Sequence, residues 1–143
     1  MNSNIQLIDL NSIDINVFEL PKEKFCCYVI CNSIYPDKGL LLKLITGEVK
    51  DINACGKLSN TWEVEVDKIC IEYENNGLKP KSWIVTTSSN DLDSFIKLMA
   101  YNHTEYFDDE ASSHDPILLF YDDEELKNYV IGKVEQILED TKK

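Results

Sequence analysis

Arginine is absent from this chain, and all 14 basic residues are lysines. The chain has 26 acidic residues, so its net charge at pH 7 is −12. Arginine is the usual residue for bidentate contacts with phosphates and base edges. With no arginine and a pI near 4.5, the chain is not expected to bind nucleic acid. The same charge disfavours anionic membranes and phosphorylated substrates, and it favours a basic partner.

Glycine, proline and long apolar runs are also scarce. Five glycines and four prolines leave no GxSxG motif and no phosphate-cradling loop. No apolar run approaches the roughly 18–20 residues of a membrane span, and the N-terminus does not resemble a signal peptide. We therefore predict one cytoplasmic domain over residues 1–143, with no membrane segment and no cofactor. Nothing in the sequence indicates its oligomeric state.

The five cysteines do not form a recognisable framework, because their number is odd and no CxxC pair occurs. Cys26, Cys27, Cys31 and Cys70 lie in apolar runs and are predicted to behave as small hydrophobic residues. Cys55 precedes Gly-Lys and is predicted to be the most exposed thiol. It is only a weak candidate nucleophile, since a nearby lysine is its one activating feature.

The first half of the chain reads as short strands. Residues 4–9 and 13–18 alternate apolar with polar residues, although a helix over 4–20 stays open. Residues 25–34 are apolar on both faces, which predicts a central strand covered on both sides. A tight turn at Pro36-Asp37-Lys38-Gly39 would lead into a hairpin strand over 40–45.

A further strand is predicted over 48–52, and a longer one over 61–74. In the longer one the apolar positions are even at first (Trp62, Val64, Val66) and odd later (Ile69, Ile71, Tyr73). Such a slip in a period of two predicts a β-bulge near Asp67-Lys68. The solvent side of this strand would then carry Glu63, Glu65 and Asp67.

The second half adds helices. A strand over 83–87 precedes Ser88-Ser89-Asn90-Asp91, which supplies caps for an amphipathic helix ending near 101–102. A compact strand over 116–121 precedes Asp122, a predicted N-cap with Glu125 at the third helical position. Together these elements predict an α+β fold: a mostly antiparallel, twisted sheet of six to seven strands, packed by two amphipathic helices in the C-terminal half.

The most acidic stretch is 98–126, which has nine carboxylates and no lysine. Within it, 102–115 shows no periodicity and is predicted to be a long loop. Aromatic anchors beside carboxylates suit a protein interface. The predicted partner-binding residues are Tyr101, His103, Glu105, Tyr106, Phe107, Asp108, Asp109, Glu110 and Asp115, with Glu63, Glu65 and Asp67 as a second surface.

Catalytic interpretations of this stretch are less favoured. His103, His114 and the carboxylates between them are ligand types for a metal ion, but their spacing matches no known ligand pattern. The run Asp122-Asp123-Glu124-Glu125 is better explained as the charged start of a helix than as an acid–base pair. No catalytic residue and no metal site are therefore predicted.

The residues 105–110 (Glu-Tyr-Phe-Asp-Asp-Glu), Asp115 and the acidic face at 63–67 carry a resemblance. A small acidic chain of this organisation resembles the immunity proteins of bacterial toxin systems, including contact-dependent growth inhibition. The resemblance implies tight binding to a cognate toxin domain, commonly a basic nuclease, and it implies no particular fold.

The sequence thus leads to the hypothesis of a toxin-neutralising, non-enzymatic binding protein. Its carboxylates would pair with lysine and arginine residues of the toxin. One alternative is a phage-type inhibitor that mimics DNA, for which carboxylates should be spaced along one face like phosphates. The other is a small metal-dependent enzyme that uses the loop from His103 to Asp115.

Overall fold

The computed structural model describes residues 5–77, 84–104 and 115–141, without the side chains of 102–104 and 141. Within these ranges the chain forms five strands and four helices. They are β1 (Ile5–Asp9), β2 (Phe25–Ile30), α1 (Lys38–Ile45), β3 (Val49–Cys55), α2 (Ser59–Asn75), β4 (Val85–Ser89), α3 (Leu92–Thr104), β5 (Ile117–Tyr121) and α4 (Glu124–Thr141). The strands form one sheet in the order β1-β5-β2-β3-β4, and every neighbouring pair is parallel.

Helices cover both faces of the sheet. Cys27 and Val29 of β2 pack on one side with the buried residues of α1 and α2. Tyr28 and Ile30 pack on the other side with those of α3 and α4. Every residue of β2 is buried, so the predicted central strand is confirmed. A parallel sheet needs this double cover, because its strands are connected by crossing helices.

The predicted antiparallel sheet of six to seven strands is therefore wrong, and so is the hairpin after β2. The residues read as a turn begin a helix instead: Asp37 is its N-cap, and its carboxylate accepts a hydrogen bond from the Leu40 amide at 3.0 Å. In α1 the buried residues are Leu40, Leu41, Leu44 and Ile45. Their i, i+1, i+4, i+5 spacing places them on one helical face.

The predicted strand over 61–74, with its bulge, is helix α2. Trp62, Val66 and Ile69 are its large buried residues, and their i, i+4, i+7 spacing is helical. The apolar residues of this segment recur with the helical period of 3.6 residues. Over a short segment this period resembles an alternation with a period of two that slips by one residue. The helix ends at Asn75, and Gly77 follows with φ of 78°, as expected for a residue that terminates a helix in the left-handed region.

Other predictions are confirmed or corrected element by element. The strands predicted over 4–9, 48–52, 83–87 and 116–121 correspond to β1, β3, β4 and β5 where residues are described, whereas 13–18 forms turns. Phe18 of that segment packs edge-on against Phe120, with the ring centroids 5.9 Å apart.

The helix start at residues 122–125 is displaced by one residue. The Leu126 amide donates to the Asp123 carboxylate at 3.0 Å, so Asp123, not Asp122, caps α4. Cys26, Cys27 and Cys31 are buried as predicted, and Cys70 is partly buried. The prediction for Cys55 is wrong, since this thiol is buried and burial raises its pKa.

Candidate functional site

The carboxyl ends of β2 and β5 mark the place where a parallel sheet most often has its functional site. These strands are neighbours, but β2 leads to α1 on one face and β5 leads to α4 on the other. The chain segments that leave the two strands therefore separate and open a crevice at this edge of the sheet.

Asp122, the first residue after β5, fills this crevice with its carboxylate. It accepts hydrogen bonds from three consecutive backbone amides after β2: Asn32 at 2.9 Å, Ser33 at 2.8 Å and Ile34 at 2.7 Å. Successive amides that converge on one point form an anion-binding concavity. In many α/β proteins such amides hold a phosphate, but here the anion is a side chain of the same chain.

Asn32 extends this network to two further segments. Its side-chain amide donates to the Asp123 carboxylate at 3.1 Å, and its Oδ1 accepts from the Lys57 amide at 3.0 Å. Gly56 stands beside it with φ of 119°, where an added Cβ would lie 2.6 Å from Asn32 Oδ1. The ends of β2, β3 and β5 are thus fixed to one another, and only glycine fits at position 56.

An apolar groove of about 310 Å³ lies next to this network. Its lining combines the segment after β1, the segment after β2, α1 and α2: Leu10, Ile13, Ile15, Ile34, Tyr35, Pro36, Asp37, Leu40 and Trp62. Ile34 is held on both sides, because its amide donates to Asp122 at 2.7 Å and its carbonyl accepts from the Trp62 indole at 3.0 Å. One wall of the groove is therefore rigidly positioned.

The predicted acidic surface at 63–67 is divided by the helix. The Glu63 carboxylate accepts from the Ser88 hydroxyl at 2.7 Å, and that of Asp67 accepts from the Thr86 hydroxyl at 3.0 Å, so both face β4. Glu65 points away from β4 and pairs with Lys68 at 3.3 Å. The three carboxylates therefore do not form the single row expected of a strand.

The outward side of α2 is instead partly apolar. Val64 and Ile71 are 47% and 57% exposed, although both are large aliphatic residues. Seven residues span almost two helical turns, so Glu65 and Glu72 also share one side. Glu72 pairs with Lys38 at the start of α1, at 3.4 Å, which places that side toward α1 and the groove. We call Val64, Glu65, Ile71 and Glu72 the α2 face. Lys68, which pairs with Glu65 at 3.3 Å, lies on the same side of the helix.

Most of the other predicted partner-binding residues lie outside the described ranges. These are the loop residues Glu105, Tyr106, Phe107, Asp108, Asp109 and Glu110, the side chain of His103, and also His114 of the metal alternative. Tyr101 lies on α3 and is 41% exposed. Asp115 pairs with Lys50 at 2.7 Å near the amino ends of the strands, and its side chain is only 25% exposed.

A second polar cluster surrounds Asp51 in β3. Burial raises the pKa of the Asp51 carboxyl, although the Asn53 side-chain amide donates to it at 3.0 Å. Burial, with Asp51 close by, raises the pKa of the neighbouring Cys26 thiol to about 12. A thiol with such a pKa is protonated at neutral pH and is a poor nucleophile. The cluster is therefore not arranged for thiol chemistry.

Metal binding finds no support in the described part of the chain, where no three His, Cys, Asp or Glu side chains converge on a common point. No helix among the same residues is long and apolar enough to cross a membrane. No protein-family model, curated protein or solved structure matches this chain. The residues of the site must therefore be interpreted from their own chemistry.

The sequence interpretation missed the residues that build this edge of the sheet. Asn32 and Ser33 follow one apolar run, and Asp122 and Asp123 follow another. Polar residues directly after two buried strands would have indicated a shared site if the sheet had been recognised as parallel. In the predicted antiparallel sheet, nothing indicated that the carboxyl ends of these two strands lie at the same edge.

Proposed function

We propose that this chain is a binding protein that neutralises a basic protein partner by stoichiometric binding in the cytosol, as an immunity protein neutralises its cognate toxin domain. The observation that carries the proposal is the α2 face, where exposed Val64 and Ile71 lie beside Glu65 and Glu72. An apolar centre with charge at its margin is the usual composition of a protein interface.

The net charge of −12 supports a basic partner in particular. Helix α2 alone has five carboxylates and one lysine, so its own charge is −4. A field of one sign accelerates the encounter with a partner of the opposite sign. Carboxylates of this surface would pair with the lysine and arginine residues that a nuclease toxin uses to bind phosphates.

Two features of the site make other activities less suitable. The amides of 32–34 are occupied by Asp122, so this edge of the sheet has no free concavity for a substrate phosphate. Glu63 and Asp67 face β4 while Glu65 and Glu72 do not, which differs from the single row of carboxylates that DNA mimicry needs.

Protection and binding test the proposal together. The chain is produced together with basic nuclease toxin domains, including any that is encoded beside its own gene, in cells that each toxin domain alone kills. We expect growth to be restored and a complex of fixed stoichiometry to be measured by light scattering. Protection without a stable complex would instead indicate an enzymatic antidote and contradict the proposal.

Charge reversal on the α2 face tests the surface itself. The double variant Glu65→Lys/Glu72→Lys should slow association on the order of tenfold at low salt and weaken its salt dependence. The matched control is Glu135→Lys/Glu139→Lys on α4, which changes the net charge equally on the opposite face of the sheet. Equal effects of the two variants would show that only net charge matters and would contradict the assigned surface.

A further inference from the structure

The apolar groove beside the carboxyl ends of β2 and β5 is separate from the α2 face, yet the two are adjacent. Trp62 belongs to the groove and to α2, and Glu65 lies one helical turn after it. Tyr35 at the rim of the groove is 68% exposed, an unusual position for a large aromatic residue with apolar neighbours.

The groove is formed in advance of any binding. Ile34 is fixed between Asp122 and the Trp62 indole, and Lys43 donates to the carbonyls of Ile15 and Phe18 and so fixes the opposite wall. A preformed apolar site avoids much of the entropy cost of ordering side chains on binding. Its volume of about 310 Å³ is at the lower end for small-molecule pockets and suits one or two side chains.

The charges around the groove select its occupant. Asp37 is part of the lining, and Asp14 lies between the two lining residues Ile13 and Ile15. Two lysines lie near the groove and both are engaged: Lys38 pairs with Glu72 at 3.4 Å, and the Lys43 ammonium donates to the carbonyls of Ile15 and Phe18. Asp14, Asp37 and Glu72 outnumber these two lysines by one, and the whole chain has a net charge of −12, so a lysine or arginine next to an apolar anchor would be attracted there.

We infer that the groove is the anchor site for a segment of the basic partner in which an aromatic or large aliphatic side chain is flanked by lysines or arginines. The anchor would insert between Ile13 and Trp62 and under Tyr35, while its basic neighbours would face Asp14 and Asp37. This inference rests on the proposed function and adds to it the place and the chemistry of the central contact. Apolar anchors in desolvated pockets carry most of the affinity of such interfaces.

Short peptides test the groove without the whole partner. The probes are the blocked peptides Gly-Lys-Lys-Phe-Lys-Lys-Gly, its analogue with serine for phenylalanine, and its analogue with glutamate for the four lysines. Each is titrated into the ¹⁵N-labelled full chain. We expect the phenylalanine peptide to shift the amides of Ile13, Ile34 and Tyr35 and the indole signal of Trp62. Its Kd should be at least tenfold lower than that of either analogue.

Substitutions then localise the contact. Tyr35→Ala should weaken binding of the phenylalanine peptide severalfold, whereas Tyr129→Ala, at a 51% exposed tyrosine of α4, should leave it unchanged. Shifts elsewhere on the protein, or equal binding of the serine or glutamate peptide, would overturn the inference. Equal losses from the two tyrosine substitutions would overturn it as well.

The outcomes for the groove and for the proposed function are distinguishable. A toxin complex whose affinity is unchanged by Tyr35→Ala, together with a silent peptide titration, overturns the groove and leaves the proposed function intact. Peptide binding in the groove without protection from any toxin domain supports the groove and overturns the proposed function.

Discussion

Asp122 connects two strands and a loop through a single carboxylate. Three amide groups donate to it at 2.7–2.9 Å, and hydrogen bonds to a charged acceptor are stronger than neutral ones. Its neighbour Asp123 has an ordinary role, the cap of α4. Adjacent residues of the same type therefore contribute very differently, because Asp122 holds a loop that lines the groove and Asp123 caps the start of a helix.

Alanine substitutions should separate these two roles. Asp122→Ala leaves three amides without their acceptor, and we expect it to lower the free energy of unfolding by about 2–3 kcal/mol. Asp123→Ala removes a cap and an acceptor of the Asn32 side-chain amide, and should cost about 1 kcal/mol. Urea unfolding of both variants measures the difference. Equal losses would mean that the amides of 32–34 find water as readily as they find Asp122.

Asp51 is a second residue whose surroundings set its behaviour. Because burial raises the pKa of its carboxyl above the ordinary value of 3.8, the folded chain holds this proton to a higher pH than the unfolded chain does. Stability therefore falls as the pH rises from about 3.8 through the folded-state pKa, and the loss persists at neutral pH.

The variant Asp51→Asn should remove this loss while keeping an oxygen for the Asn53 amide. We expect it to unfold at a higher urea concentration than the parent chain at pH 7, with a gap that narrows as the pH falls toward 4. Glu139→Gln on the exposed side of α4 makes the same change in net charge and serves as the control. Lys50 also attracts the Asp51 carboxylate, and a variant less stable than the parent at pH 7 would show that this attraction outweighs the burial.

At the scale of elements, α2 shows why short apolar patterns mislead. Trp62, Val66 and Ile69 are buried on a helix, yet the first two also fit an alternating strand. Exposed Val64 and Ile71 completed the false alternation. The same two residues lie at the centre of the proposed interface. Their exposure on the outside of a helix therefore explains both the wrong strand prediction and the proposed surface.

The glycines of a turn and of a helix allow a matched test. Gly56→Ala, in the turn after β3, would place a Cβ within 2.7 Å of the Cys31 carbonyl oxygen at a φ of 119°. We expect a loss of about 2 kcal/mol or more. In α4 a Cβ at Gly132 meets nothing within 4 Å, so Gly132→Ala should add about 0.5–1 kcal/mol through helix propensity. Thermal unfolding compares the two, and opposite signs are the expected result.

At the scale of the whole molecule, the charge of −12 acts on stability as well as on binding. Ion pairs offset little of it: those between described residues mostly involve exposed side chains, and such pairs contribute about 0–1 kcal/mol each. The compact chain is therefore under net repulsion between its carboxylates.

Salt should relieve this repulsion. Raising NaCl from 10 to 150 mM shortens the Debye length from about 30 Å to about 8 Å, and we expect Tm to rise by a few degrees. Calorimetry in a fixed buffer measures the shift. A falling Tm would mean that screened ion pairs matter more than repulsion, and glycerol at constant salt controls for general solvent effects.

Local sequence patterns were enough to predict some elements of this fold. The continuous apolar run at 25–34 predicted a buried central strand, of which Phe25–Ile30 forms β2. The i, i+3, i+4 stripe of 92–100 predicted α3, because both signals depend only on the periodicity of burial. The charge and the lack of arginine are likewise properties of composition, and they lead to the hypothesis of a basic partner without any structure.

Tertiary structure alone decided the direction of the strands and therefore the site. The spacing of Leu40, Leu41, Leu44 and Ile45 fits one face of a helix, but so short and apolar a run also fits a buried strand, and packing against the sheet decides for the helix. The meeting of Asn32 with Asp122, 90 positions apart in the chain, follows from parallel pairing of β2 with β5, which no local pattern encodes. The sequence by itself determined the charge of the surface and the burial of the longest apolar run. The burial of Cys55, the exposure of Val64 and Ile71, and the groove depend on how separated segments meet in the tertiary structure.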